Sequence, residues 1–391
     1  MKISAPTISY QNGRHVLSAR ISVEDTGAVF PNTLWFTIDT EQPPFEPGLA
    51  DAFVVGLVAV AMKLGEDIHV EGRVSSRLAY GLGTYQVILN TWWPEFFSLV
   101  DINYAQLDDR QSDMRPESVC CSFSGGLDSY HAVMESLPSR LPNPAFNLTH
   151  ALMINGFDQI VDLEHRGLAR QMYNIYHPIL AELGVELLMI DTNLKQFRDA
   201  AMSRLEVVNS YSSSLAASAH ALAGLFGRFS IPGFGNYAWN ELEPDGSHPV
   251  LDHHMSSDQL QIIHAGSSYS RIEKLQIVAD MPLVQKSLRV CFLVPQFDPH
   301  SGKVVNCGEC EKCVRTIVGL EIMGKLDKFT TFSRLHPIAQ YQRPDILFNI
   351  NDMFLKSLQE LAQQYDRSDW EEALRTAREL RDRARPAEIK I

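Results

Sequence analysis

The chain has no basic excess. Its 34 lysines and arginines face 47 acids, a net charge of −13 over 391 residues. A protein this acidic lacks the broad positive face that nucleic acids require, so a nucleic-acid partner is not expected. Long hydrophobic runs are missing as well. The longest, Phe53 to Met62, is far too short to span a bilayer and reads as a buried helix. Met1 to Pro6 carry no secretory apolar core, and a cytoplasmic location is expected. Cysteine is scarce, with six in the chain, too few and too unevenly placed for a disulfide framework in a cytosolic protein. There is no G-x-x-x-x-G-K-[ST] loop, no G-x-G-x-x-G turn, no internal repeat and no low-complexity tract. What remains is a composition of 45% apolar and 21% charged residues, that of a soluble globular chain long enough for two domains.

Against these absences one stretch stands out, Ser124-Gly125-Gly126-Leu127-Asp128-Ser129. It follows the apolar run Ser118 to Phe123, whose Ser122 is the last polar residue before the turn, and precedes a helical segment, Tyr130 to Leu137. The context is strand, glycine turn, helix N-terminus. Adjacent glycines let the backbone approach an anion, and the free N–H groups of the helix start face it. Ser124 and Ser129 add hydroxyls, and Asp128 adds a carboxylate suited to Mg²⁺.

Four of the six cysteines fall together, as Cys291 and the run Cys307-x2-Cys310-x2-Cys313. Three thiols at this spacing converge on one centre and Cys291 supplies the fourth. Four thiolates make a closed structural zinc site, with an iron–sulfur cluster as the competing occupant. Cys120 and Cys121, in the strand before the glycine turn, read as buried structural residues.

Residues 1–107 read as a separate α+β module of unassigned role. Asn12-Gly13 marks a hairpin between Ile8–Tyr10 and His15–Val23, and Leu34–Ile38 is a strand. Ala50–Leu64 and Val74–Leu82 read as helices and Tyr85–Leu89 as a strand. The polar segment 108–116 is the expected linker. From residue 117 strands and helices alternate: Ala151–Asn155, a helix over Asp162–Leu183 interrupted near Pro178, Val185–Ile190, a helix over Ala216–Phe226, then strands at Arg228–Pro232 and Leu260–His264. This pattern predicts an α/β fold with a parallel sheet and ligands at its carboxyl edge. Asn155 and Asp158 follow the second strand, where a nucleotide contact is expected. Gly233, Asn236 and Tyr237 follow the fourth and are candidates for substrate. His248, Asp252, His253 and His254 form a dense cluster, readable either as substrate or metal contacts or as an ordinary surface loop. Residues 117–335 form one domain in this reading, and 336–391 a C-terminal helical extension.

The glycine loop resembles the SGGxDS loop of the N-type ATP pyrophosphatases. Together with the cysteine run, followed by Val314 and Arg315, it resembles the C-G-x-C-x-x-C-x-R signature of the 7-cyano-7-deazaguanine synthases, the QueC family. Ile231 to Asn236 resembles that family's V-P-G-R-N segment, with Phe234-Gly235 in place of the arginine. Arg271-Ile272-Glu273-Lys274 lies where such enzymes carry a charged motif. The chain is much longer than a minimal synthase and resembles the enlarged relatives found among bacterial antiviral gene clusters. The resemblance covers about residues 117 to 325.

The resemblance implies a HUP-type PP-loop pyrophosphatase domain with a zinc knuckle. It implies an ATP-dependent C–N ligase: a deazapurine carboxylate, 7-carboxy-7-deazaguanine or an analogue, attacks the α-phosphate of ATP, pyrophosphate leaves, and the adenylate passes to ammonia, giving amide and nitrile, or to a protein amine in antiviral defence. Ser124, Asp128, Ser129 and Lys274 are then catalytic. Ser122, the loop and Asn155 bind ATP and Mg²⁺, with Arg271, Gly233, Asn236 and Tyr237 toward substrate and the four cysteines on Zn²⁺. A protein partner through residues 1–107 and a homodimer are further expectations. The rival readings are a tRNA thiolase sharing the loop, and a non-catalytic nucleotide-binding scaffold. Lys2, where asparagine-synthetase-like enzymes carry a cysteine nucleophile, argues against internal ammonia production of that kind.

Overall fold

The structure, a computed structural model, describes residues 1–24, 27–40, 43–109, 117–157, 166–238, 242–291, 296–297, 303–332 and 337–384. The expected linker residues 110–116 and the candidate Asp158 lie outside them. The chain divides into two compact units: Met1–Phe123 with Ala132–Gly233 and Leu242–Ser267, and Ser124–His131 with Phe234–Glu241 and Ser268–Ile391.

The larger unit is built on one sheet. Its strands are β1 (Lys2–Ile3), β2 (Thr7–Gln11), β3 (Arg14–Ser22), β4 (Thr33–Ile38), β5 (Ile68–Ser75), β6 (Ile102–Asp108), β7 (Val119–Ser122), β8 (His150–Asn155), β9 (Glu186–Thr192), β10 (Arg228–Pro232) and β11 (Gln261–Ala265). They lie in the order β11-β10-β7-β8-β9-β4-β3-β1-β5-β6, with β2 on the flank of β3. The five strands β11 to β9 are all parallel. Within this half, the first strand in sequence, β7, lies between β10 and β8, so the order reverses there. In open α/β sheets such a reversal marks the ligand crevice, at the carboxyl ends of the strands. The chain leaves β7 at Ser122 and enters the glycine loop directly.

Residues 1–107 are not the separate module expected. β4 pairs antiparallel with β9, Phe36 opposite Thr192 and Ile38 opposite Ile190, so the N-terminal strands extend the same sheet. Nor is Val74–Leu82 a helix followed by a strand. Val74 pairs with Leu107 at the end of β5, and one helix, α2 (Ser76–Trp92), takes the whole of the following segment. Its buried Leu78, Leu82, Tyr85 and Leu89 keep helical spacing, which the apolar content of Tyr85–Leu89 masks.

The core of this unit gathers round α1 (Asp51–Leu64), where every residue from Asp51 to Met62 is buried. A helix apolar on all faces has no solvent side. Gly56 allows close packing: a Cβ there would lie 3.2 Å from that of Ala217.

The smaller unit is mainly helical. It comprises the helices Arg271–Val278, Pro282–Ser287, Glu311–Ile322, Asp352–Gln364 and Ser368–Ala384, with short connecting turns. It runs to the end of the chain, so the expected break at 335/336 is not a boundary. Leu355, Leu358 and Leu361 face inward with the fully buried Trp370. No helix among the described residues is long and apolar enough to cross a membrane.

Candidate functional site

The glycine loop and the cysteines belong to the same, smaller unit. Gly125 has φ +73°, a left-handed conformation that glycine adopts without penalty. The two serines close the loop on itself. Ser124 Oγ accepts from the Gly126 N–H (3.3 Å), and Ser129 Oγ donates to the Gly126 carbonyl (2.9 Å) and accepts from the Ser124 N–H (3.4 Å). Leu127 is buried and opens α3 (Leu127–Glu135), whose first N–H groups have no partner within the helix.

Four cations gather here. Arg289 donates its backbone N–H to the Gly125 carbonyl (2.8 Å) and its guanidinium to the Ser124 carbonyl (3.4 Å). Arg271 donates to Asp128 Oδ2 at 2.6 Å. Lys274, one turn further along a helix capped by Ser270 and Glu273, is fully buried. Its Nζ donates to the Phe234 carbonyl (3.3 Å) and lies 3.9 Å from Asp128 Oδ1. Arg315 pairs with Glu311 (2.8 Å) and stacks over Phe354 at 3.9 Å.

The effect on Asp128 shows the field of this group. Burial pushes its carboxyl up, but the charges of Arg271, Lys274 and Arg315 and the Arg271 hydrogen bond outweigh it, leaving the group below the usual range. Burial and the neighbouring Arg271 in turn lower Arg315 to about 10. The side chains of Arg271, Lys274 and Arg315 are 14%, 0% and 9% exposed, and Arg289 is 7% exposed. Burying charge is costly unless it is compensated. Asp128 compensates Arg271 and Glu311 compensates Arg315. The Nε atoms of Arg289 and Arg315, and Asp128 Oδ1, are buried without a hydrogen-bond partner among the described residues. The arrangement suits an anionic ligand.

The cysteines converge as the spacing predicts. Their four sulfurs lie within 4.8 Å of one another, with Cys307 to Cys313 at 3.7 Å and Cys291 to Cys310 at 3.9 Å. These are not disulfide distances. A tetrahedron with Zn–S of about 2.3 Å has edges of roughly 3.8 Å, so the thiols fit zinc. Gly308, at φ +75°, makes the knuckle turn, and Cys307 Sγ accepts from the backbone N–H groups of Glu309 (3.4 Å) and Cys310 (3.3 Å). Hydrogen bonding to Cys291 pushes the Cys310 thiol up to about 11, and Cys291 and Cys310 push Cys313 up too. Thiols so crowded ionise together only with a cation among them.

The two parts are joined through the backbone. Arg289 stands two residues before Cys291, and Arg315 two residues after Cys313, on the helix that the knuckle starts. Buried Asn306 clamps the segments. Its Oδ1 accepts from the N–H groups of Val290 (2.8 Å) and Cys291 (3.1 Å), and its Nδ2 donates to the Leu288 carbonyl (2.9 Å). Sequence reasoning missed Arg289 and Asn306, which belong to no motif. Their closeness to Cys291 and Cys307 was the one available signal.

Other expected residues are placed elsewhere. Asn155 is buried in the larger unit and donates to Asp191 Oδ1 (3.1 Å), while Asp191 Oδ2 pairs with Arg14. Ser122 closes β7 opposite Leu152. Gly233 makes room for the His264 imidazole, with which a Cβ would collide. Asn236 Oδ1 accepts from the Ala238 N–H (2.8 Å), and Tyr237 is exposed. The histidine cluster is no plain surface loop, since Asp252 and His248 are buried. Compared with protein-family models, characterised proteins and solved structures, the chain gives no match.

Proposed function

We propose that the chain is an adenylate-forming ATP pyrophosphatase of the PP-loop type that activates a deazapurine carboxylate for transfer to an amine. The observation that carries this reading is the buried set Arg271, Lys274, Arg289 and Arg315 around a glycine loop that follows the switch-point strand.

A free carboxylate is a poor acyl donor, because oxide and hydroxide leave badly. Attack of its oxygen on the α-phosphorus forms the O–P bond, breaks the bond to the β-phosphate oxygen and releases pyrophosphate. The negative charge then grows on the departing group. Preorganised cations and loop amides favour that charge without having to reorganise, and such electrostatic stabilisation usually contributes more to the rate than any other effect. In this reading Arg289 and Arg271 orient the leaving pyrophosphate, Lys274 faces it from the buried side, and Asp128 would be the carboxylate that holds Mg²⁺. The four cysteines would hold zinc, which would fix the knuckle from which Arg289 and Arg315 project. An amine, either ammonia or a protein amine, then attacks the acyl carbon and AMP leaves.

The test is incubation with ATP, Mg²⁺ and 7-carboxy-7-deazaguanine, with and without ammonia, followed by mass spectrometry and a pyrophosphate assay. Substrate-dependent pyrophosphate release is expected, and Asp128→Ala should lower it at least about 100-fold. Pyrophosphate release unchanged in Asp128→Ala would sink the reading.

A further inference from the structure

A second polar assembly, with no part in the chemistry of the glycine loop, lies wholly in the larger unit. His264, on β11, has Nδ1 2.7 Å from Asp252 Oδ2 and Nε2 2.9 Å from Ser267 Oγ. Asp252 is fully buried and is itself held, Oδ2 accepting from Ser247 Oγ (2.6 Å) and Oδ1 from the His248 N–H (3.3 Å). A carboxylate fixed this way accepts a hydrogen bond from Nδ1–H, which selects the tautomer with Nε2 as an acceptor. The Ser267 hydroxyl is the donor that meets it.

Backbone features point the same way. Ser267 lies two residues beyond the carboxyl end of β11, on the edge of a parallel sheet where ligands bind. Gly266 before it has φ +90°, and among the described residues no acceptor is found for the Ser267 N–H. A serine nucleophile's own amide is one of the donors that an oxyanion uses. Gly233, having no side chain, lets its backbone pack directly against the His264 imidazole.

We propose that Ser267 is a nucleophile, with His264 as its general base and Asp252 as the group that orients His264, acting on activated acyl compounds. Oγ attacks the carbonyl carbon and forms an ester bond, while the bond from that carbon to its leaving group breaks. The Oγ proton passes to His264 Nε2 and from there to the leaving group. Water or an amine then takes the acyl group from Ser267 by the reverse sequence. The geometry is that of a nucleophile, a base and an orienting acid within hydrogen-bond reach.

The test needs neither ATP nor Mg²⁺, so its failure is separate from failure of the pyrophosphatase reading. The full chain is treated with a fluorophosphonate, in which phosphorus takes the Ser267 Oγ and fluoride leaves, and is read by intact mass and peptide mapping. One adduct is expected, on Ser267, absent in Ser267→Ala and formed at least about 100-fold more slowly in His264→Gln. Because His264→Gln alters a buried network, Ser267→Cys gives an independent reading. Its new thiol should be alkylated by iodoacetamide faster than the buried Cys120 and Cys121 of the same chain. No adduct on Ser267, labelling as fast in His264→Gln as in wild type, or a thiol at 267 no faster than Cys121 would each overturn the assignment.

Discussion

Two aspartates, Asp51 fully buried and Asp128 partly so, are in opposite states. Asp51, in the first turn of α1, accepts from the Ser75 N–H (2.9 Å) and hydroxyl (2.6 Å). Burial dominates, and its carboxyl is pushed up to about 7, with Asp108 and Asp258 adding to the rise. Asp128, in the glycine loop, is also subject to burial, yet Arg271, Lys274 and Arg315 hold it below the ordinary range. The difference lies in what surrounds each residue. Around α1 the interior is built from apolar side chains, and a carboxyl there tends to neutrality. Around the loop the interior is built from cations, and a carboxyl stays charged. Only the second environment is organised for an anionic ligand.

The strongest way to break this contrast is to remove the scaffold that presents the cations. Wild-type chain is expected to hold one zinc, measured by elemental analysis, and Cys313→Ser to lose it. With the knuckle gone, Arg289 and Arg315 lose their fixed starting points, and the melting temperature of the smaller unit should fall. Full metal content in Cys313→Ser would separate the cysteines from the site. A smaller effect sharpens the other side of the comparison. The folded-state carboxyl of Asp51 lies above its unfolded value, so its contribution to stability is fully present below about pH 4. That contribution is lost as pH rises through about 7. Asp51→Asn should remove this dependence, and thermal melts between pH 4 and 8 should show wild type losing a few degrees relative to the variant as pH rises. Parallel curves would show that Asp51 ionises normally.

The parts of this contrast were unequally legible in the sequence. The loop, the cysteine spacing and the α1 run are local patterns, and local patterns survive without knowledge of the fold. The hairpin at Asn12-Gly13 and the parallel strands from β7 onward were legible for the same reason. The pairing of β4 with β9 was not, because it joins residues far apart in sequence and leaves no periodic trace. Tyr85–Leu89 misled because a short apolar run fits a strand as well as the buried face of a helix. Arg289 and Asn306 owe their roles to the folding-back of Cys291, which spacing announced without saying what would come with it. The link between His264, Asp252 and Ser267 depends on where β11 places one imidazole.

The most direct measurement is titration calorimetry of the full chain with magnesium pyrophosphate, comparing wild type with Arg289→Ala at matched melting temperatures. A charge-assisted hydrogen bond removed from a buried site corresponds to roughly a 10- to 100-fold loss of affinity. The result expected is one site per wild-type chain, weakened by that factor in Arg289→Ala. Absence of binding to wild type, or equal affinity in the two proteins, would contradict the assignment of the cation-lined loop as a pyrophosphate grip.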